Sequence, residues 1–124
     1  MRRVSPKRRA LIAAHREARE AYLMTFPVCQ ICDRAAAVEI HEIVRGGSRR
    51  LAYGQRAAWL SLCRNCHEIA GDYGKLPLPG AYGFKGIRDP AFYDRVALNR
   101  LRGRADEAVS EADVLISLWE WRGK

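Results

Sequence analysis

Along residues 5–25 apolar side chains recur at helical spacing, with Leu11, Ala14, Ala18, Ala21 and Tyr22 forming a stripe among charged neighbours. Ser5 is placed to cap this helix and Pro6 suits its first turn. Phe26-Pro27 ends it. The pattern then changes period. Val38 to Val44 is rich in β-branched residues and predicts a strand, Gly46-Gly47-Ser48 predicts a loop, and Ala57 to Leu62 is a short apolar run that returns along it. A short helix is expected from about Asn65, stopping at Gly71. Residues 72–88 are dense in Gly and Pro and predict an irregular connector. Asp89-Pro90 opens a helix over roughly 90–101, with Phe92, Val96 and Leu101 as its contacts, broken by Arg102-Gly103-Arg104. Ser110-Glu111-Ala112-Asp113 has the form of a capping box, and a last helix follows to about Trp121.

Four cysteines punctuate this order. They fall in two Cys-x-x-Cys pairs, Cys29–Cys32 and Cys63–Cys66, thirty residues apart. The first precedes the strand and the second follows the returning run. Two such knuckles complete a tetrahedral thiolate site for structural zinc and leave the nearby histidines unused. The expected fold is therefore α+β. A zinc-stapled ββα core occupies 26–75, preceded by a basic N-terminal helix over 1–25 and followed by the connector and C-terminal helices over 76–124. Two other readings of the cysteines exist. A single Cys-x-x-Cys can be a redox pair, and Cys63-Arg64-Asn65-Cys66-His67 matches the c-type haem attachment pattern, which leaves Cys29 and Cys32 unexplained.

At 124 residues the chain is expected to be one domain, and a metal staple supplements the modest core that this length allows. No apolar run is long enough to cross a bilayer. The N-terminal stretch is basic but carries Glu17 and Glu20 and lacks an apolar centre, unlike a signal peptide. A cytoplasmic setting, where paired cysteines hold metal, is the expectation.

The formal charge of +8 favours a polyanionic partner, and it is unevenly spread. Residues 1–20 hold seven Lys/Arg against two acids, and Ile43 to His67 holds five Arg and no acid. Lys85 to Arg104 holds six basic residues against two acids, and beyond Arg104 acids outnumber bases five to two. Arg45, Arg49, Arg50, Arg56 and Arg64 bracket the two motifs and are the candidate phosphate contacts.

His41 and His67 are each carried by the cysteine scaffold, one on the strand and one at the start of the helix. A catalytic ion keeps open positions, so two or three protein ligands suffice. Glu42 follows His41 and is a candidate to orient or deprotonate water. His15, on the first helix, has no such setting and is expected to be structural.

The stretch Glu39-Ile40-His41-Glu42-Ile43-Val44-Arg45-Gly46-Gly47, followed by Trp59-Leu60-Ser61-Leu62-Cys63-Arg64-Asn65-Cys66-His67, resembles the HNH endonuclease family in its zinc-bearing, phage-type form. The resemblance covers about residues 26–72. The segment Asp89 to Val114 is similar, more loosely, to the tail of phage-encoded members. It implies a ββα-metal core that cuts DNA with a divalent cation such as Mg2+, Mn2+ or Ni2+, in a phage or prophage setting. Aligned on the family pattern, His41 and His67 take the two ligand positions and Glu42 the position of the general base, normally His. The family's middle Asn falls on Ala58. The residue four after the closing His, often a third ligand, is Gly71, with Asp72 one step further as the substitute. The expected function is a metal-dependent DNA endonuclease. The rival is a non-catalytic zinc-bound DNA-binding module with a degenerate site, and a third reading is an RNA-binding zinc ribbon.

Overall fold

The computed structural model describes residues 5–44, 54–72, 76–103 and 107–122. Among these the chain forms five α-helices and a two-stranded antiparallel sheet around a cluster of four cysteines, an α+β arrangement.

Helix α1 spans Pro6–Thr25. Its packed stripe is not the alanine one. Ala14, Ala18 and Ala21 are exposed, whereas Ile12, His15, Arg19 and Tyr22, spaced three and four apart, turn inward. The reason is what α1 covers. The sheet face beneath it presents Trp59 and Glu42, and long polar side chains fit that surface better than methyl groups do. The Arg19 guanidinium lies 5.5 Å from the Trp59 ring centre. The His15 ring sits against Gly54, where a Cβ atom would come within 2.5 Å of it.

After Phe26 the chain doubles back as a short ribbon. Cys29 N–H donates to Ala35 O at 2.9 Å and Ala37 N–H to Pro27 O at 2.8 Å. Asp33 makes the bend at φ 57°, a left-handed conformation that Asp tolerates. Strands β1 (Glu39–Glu42) and β2 (Trp59–Leu62) then pair with Glu39 opposite Leu62 and His41 opposite Leu60. Bonds from Val38 N–H to Leu62 O and from Ile43 N–H to Ala58 O extend the ladder at both ends, consistent with the longer run expected from Val38 to Val44.

Strand alternation sorts the sheet into two faces. Ile40, Glu42, Trp59 and Ser61 lie on the face toward α1. Glu39, His41, Leu60 and Leu62 lie on the other, toward helix α2 (Arg64–His67), which continues as one π turn over Glu68–Asp72.

Residues 72–88 depart most from expectation. Leu78–Arg88 is not a connector but an α-helix, α3, and most of it is buried. Its glycines recur every three residues, and two of them, Gly80 and Gly83, let helix α5 (Glu111–Arg122) approach closely. A Cβ at Gly83 would fall 2.5 Å from Leu118 Cγ, and one at Gly80 would fall 2.9 Å from Ser117 Oγ. Local propensity argues against this helix, and the packing it allows outweighs that cost.

The expected helix over 90–101 is instead a 3-10 turn, Pro90–Phe92, followed by α4, Arg95–Arg102. Asp94 caps α4 by accepting from Ala97 N–H at 3.0 Å, and Gly103 ends it at φ 74°. Leu98 is the fully buried contact, while Phe92 and Val96 are largely exposed. The capping box before α5 forms in both directions, with each bond between Ser110 and Asp113 at 3.1 Å.

The buried apolar cluster runs without a break from Cys29 through Leu60 and Tyr82 to Val114. The C-terminal helices therefore share one core with the cysteine knuckles across the boundary expected at 75/76. Lys85, fully buried, ties the two together. Its ammonium donates to the carbonyls of Arg56 (2.7 Å) and Trp59 (2.8 Å), to the Tyr22 hydroxyl (3.0 Å) and to Asp89 (2.8 Å).

Candidate functional site

The two knuckles meet at the end of the sheet. One sulfur from each of Cys29, Cys32, Cys63 and Cys66 lies within 4.8 Å of every other, and all four are free thiols. Four sulfurs around one zinc at bonds of about 2.3 Å stand roughly 3.8 Å apart, so this donor set and its spacing can hold a metal ion. The local folding explains the convergence. The ribbon bonds at 27–37 present the first pair, and Cys63 caps α2, its Sγ accepting from Cys66 N–H at 3.4 Å.

Three of the sulfurs belong to buried residues, and Cys32 is half-buried. Burial pushes the Cys29 and Cys66 thiols up. At Cys32 the upward push of burial is outweighed by the backbone N–H groups of Ala35 and Arg34, with help from Cys29 and Cys66, and the thiol sits at about 7. Thiolate binding of an ion there releases the protons that burial retains.

On the α2 face of the sheet, His41 and His67 stand with ring centres 5.3 Å apart at an interplanar angle of 74°. Two imidazoles on one ion, at metal–nitrogen bonds of about 2.1 Å, hold their ring centres roughly 4.5–5.3 Å apart, so the spacing suits a shared ion. His41 is buried, and His67 is about one-quarter exposed. His67 Nδ1 is 2.5 Å from Glu39 Oε2, and the other Glu39 oxygen is 3.7 Å from Arg64 Nε. Glu39, Arg64, His67 and Glu68 line an open pocket of about 330 Å3. Among the described residues the cysteines are the one set of three or more Cys, His or carboxylate donors that converges on a common point.

Glu42 is not brought to this pocket. It follows His41 directly, so its side chain leaves the opposite face of the sheet, where Oε1 lies 3.5 Å from Arg19. It has no reach to a water between the two histidines. The carboxylate the fold does deliver is Glu39, two residues before His41 and therefore on its face. Strand alternation counted from His41 carries that signal in the sequence. Glu68, one residue after His67, is the other acid there.

The basic candidates separate. Arg64 is exposed at the pocket mouth. Arg56 is engaged within the protein. It bonds Asp89 at 3.1 and 3.3 Å and lies 3.9 Å over the Phe92 ring. Arg45, Arg49 and Arg50, and the loop Gly46-Gly47-Ser48, lie outside the described residues, as does the side chain of Asp72.

Comparison of the chain with family models, with characterised proteins and with solved structures finds no match.

Proposed function

We propose that this chain is a divalent-metal-dependent endonuclease of HNH type that hydrolyses DNA phosphodiester bonds, with a structural zinc on Cys29, Cys32, Cys63 and Cys66. The observation that carries this reading is the His41–His67 pair, 5.3 Å apart on a scaffold whose four thiols need neither histidine. In it, His41 and His67 hold the second ion, and the family pattern offers Asp72, whose side chain lies outside the described residues, for the third ligand position. An ion held there supplies positive charge to the scissile phosphate and its leaving oxygen. Arg64 at the pocket mouth attracts and orients the phosphate, and Arg45, Arg49 and Arg50, which the sequence places between the two motifs, are the further candidate phosphate contacts. Glu68 takes the proton of the attacking water, the role the sequence pattern assigns to Glu42.

One observation favours the rival reading, a zinc-bound DNA-binding module without catalysis. Glu42, at the family's base position, is committed to Arg19 on the wrong face of the sheet. A plasmid-nicking assay in Mg2+, Mn2+, Ni2+ and Zn2+ separates the two. Cleavage is expected from the wild type and none from His41→Ala, with zinc content and circular dichroism unchanged. Glu68→Gln is expected to lower turnover by about 10²–10⁴, and Glu42→Gln to leave it within a few-fold. A wild-type protein that binds DNA but cuts it in no metal leaves the binding module standing.

A further inference from the structure

We infer that Glu39 is a positioning residue for the second metal site, acting through His67. The inference rests on the reading of His41 and His67 as ligands of one ion. A ligating imidazole binds through one nitrogen, and the hydrogen bond made by the other decides which nitrogen carries the proton. His67 Nδ1 and Glu39 Oε2 are 2.5 Å apart. A carboxylate accepts and does not donate, so in the neutral ring this contact places the proton on Nδ1 and leaves the Nε2 lone pair free to bind an ion. Glu39 thus selects the one tautomer of His67 in which Nε2 is the metal-binding atom.

The location of Glu39 makes this selection firm. Its strand position opposite Leu62 is set by the β1–β2 ladder, and His67 is set by the knuckle that begins α2. The two side chains are therefore brought together by backbone structure on both sides rather than by a flexible loop. Among the described residues, the groups that meet Glu39 are the His67 imidazole and the Arg64 guanidinium. The Arg64 contact is long, 3.7 Å, and comes from a side chain 81 % exposed, so it adds little to the hold on Glu39. Glu68 shares the pocket and contributes like charge. Glu39 also leaves its other oxygen toward Arg64, and this links the ion's ligand to the residue that meets the phosphate.

The test uses the zinc-loaded chain without DNA. Ring-nitrogen NMR at about pH 8.5, where an ordinary imidazole is neutral, reads the His67 tautomer. Calorimetric titration with Ni2+, the ion of the series that imidazole favours, reads the second site, with zinc retention measured alongside. In wild type His67 is expected as the Nδ1–H tautomer. Glu39→Ala is expected to lose that preference and to weaken Ni2+ by roughly 10–100-fold while zinc and fold persist. Glu39→Gln keeps an acceptor oxygen and is expected to recover the tautomer and most of the affinity. Arg64→Ala is expected to change neither. A His67 tautomer that is Nε2–H in wild type, or that Glu39→Ala leaves unchanged, overturns the role of Glu39 alone. A wild-type protein that binds no second ion overturns the metal-site reading, and this role with it.

Discussion

Arg56 and Arg64 carry the same charge at similar distances from the cysteines, yet their surroundings give them different work. Arg56 is held by Asp89 and stacked on Phe92, and Arg64 is open to solvent. Arg64→Ala is therefore expected to flatten the slope of log DNA affinity against log salt by about 0.9 and to leave stability alone. Arg56→Ala should do the reverse. The slope stays, and stability falls by roughly 1–3 kcal/mol, less than for a fully buried pair because the side chain is 36 % exposed. Salt titrations of binding and urea unfolding of both variants decide it. Asp89 shapes the pH response of the same region. Burial alone pushes its carboxyl up, but the bonds from Arg56 and Lys85 outweigh that and hold it below the usual carboxylate range. A depressed carboxyl stabilises the native state above its unfolded pKa, and that stabilisation is lost as pH falls through the folded value. The urea midpoint is thus expected to drop below about pH 4, and Asp89→Asn, less stable at neutral pH, is expected to show a shallower acid limb. Lys85 acts at the other end. Burial lowers its ammonium from 10.5 to about 8. Between those values the unfolded chain binds the extra proton, so this group's contribution to stability rises with pH across that window.

Helix α3 is the element whose composition and structure disagree most. Gly and Pro speak against a helix, and a Gly→Ala change in an ordinary helix gains about 1 kcal/mol. At Gly83 the opposite is expected. The added methyl would fall 2.5 Å from Leu118 Cγ in the α3–α5 contact, and overpacking of this kind costs roughly 1–3 kcal/mol. Gly83→Ala should lower the unfolding midpoint, and adding Leu118→Ala should reverse part of the loss of Gly83→Ala. A Gly83→Ala variant as stable as wild type removes close approach as the reason for the glycine. The α1 stripe makes a related point. Periodicity identifies the helix and its buried Tyr22, but the three alanines of the expected stripe are exposed, because alanines report helix propensity as well as burial. The face that packs is set by a partner surface of Trp59 and Glu42, which belongs to another part of the chain.

At the scale of the molecule, the cysteine cluster joins the 27–37 ribbon to the end of β2 and the start of α2. Among the described residues the sheet has two strands, and such a pair is marginal without added support. Removal of the metal with a strong chelator is expected to abolish cooperative unfolding, and one equivalent of Zn2+ per chain should restore it. Cys63→Ser should behave like the chelated protein. A metal-free chain with an unchanged melting transition would show that packing alone sustains the fold.

What the residues determine on their own is what local spacing encodes. The two Cys-x-x-Cys pairs, the strand with His41, the capping box at Ser110–Asp113 and the extent of α1 are all legible, because each depends on neighbours within a few positions. The four-thiol site belongs with them, since two knuckles leave few other ways to satisfy four cysteines in one small domain. Tertiary structure decided the rest. It set Glu42 against Arg19 and Glu39 against His67, because strand alternation separates the two carboxylates but which helix covers each face is fixed only once the sheet and its flanking helices are in place. It made a helix of the Gly-rich segment, because the gain lies in α5, some thirty residues on. It also buried Lys85 among carbonyls of residues 56 and 59, a pairing that lies far apart in the chain and that no local pattern announces.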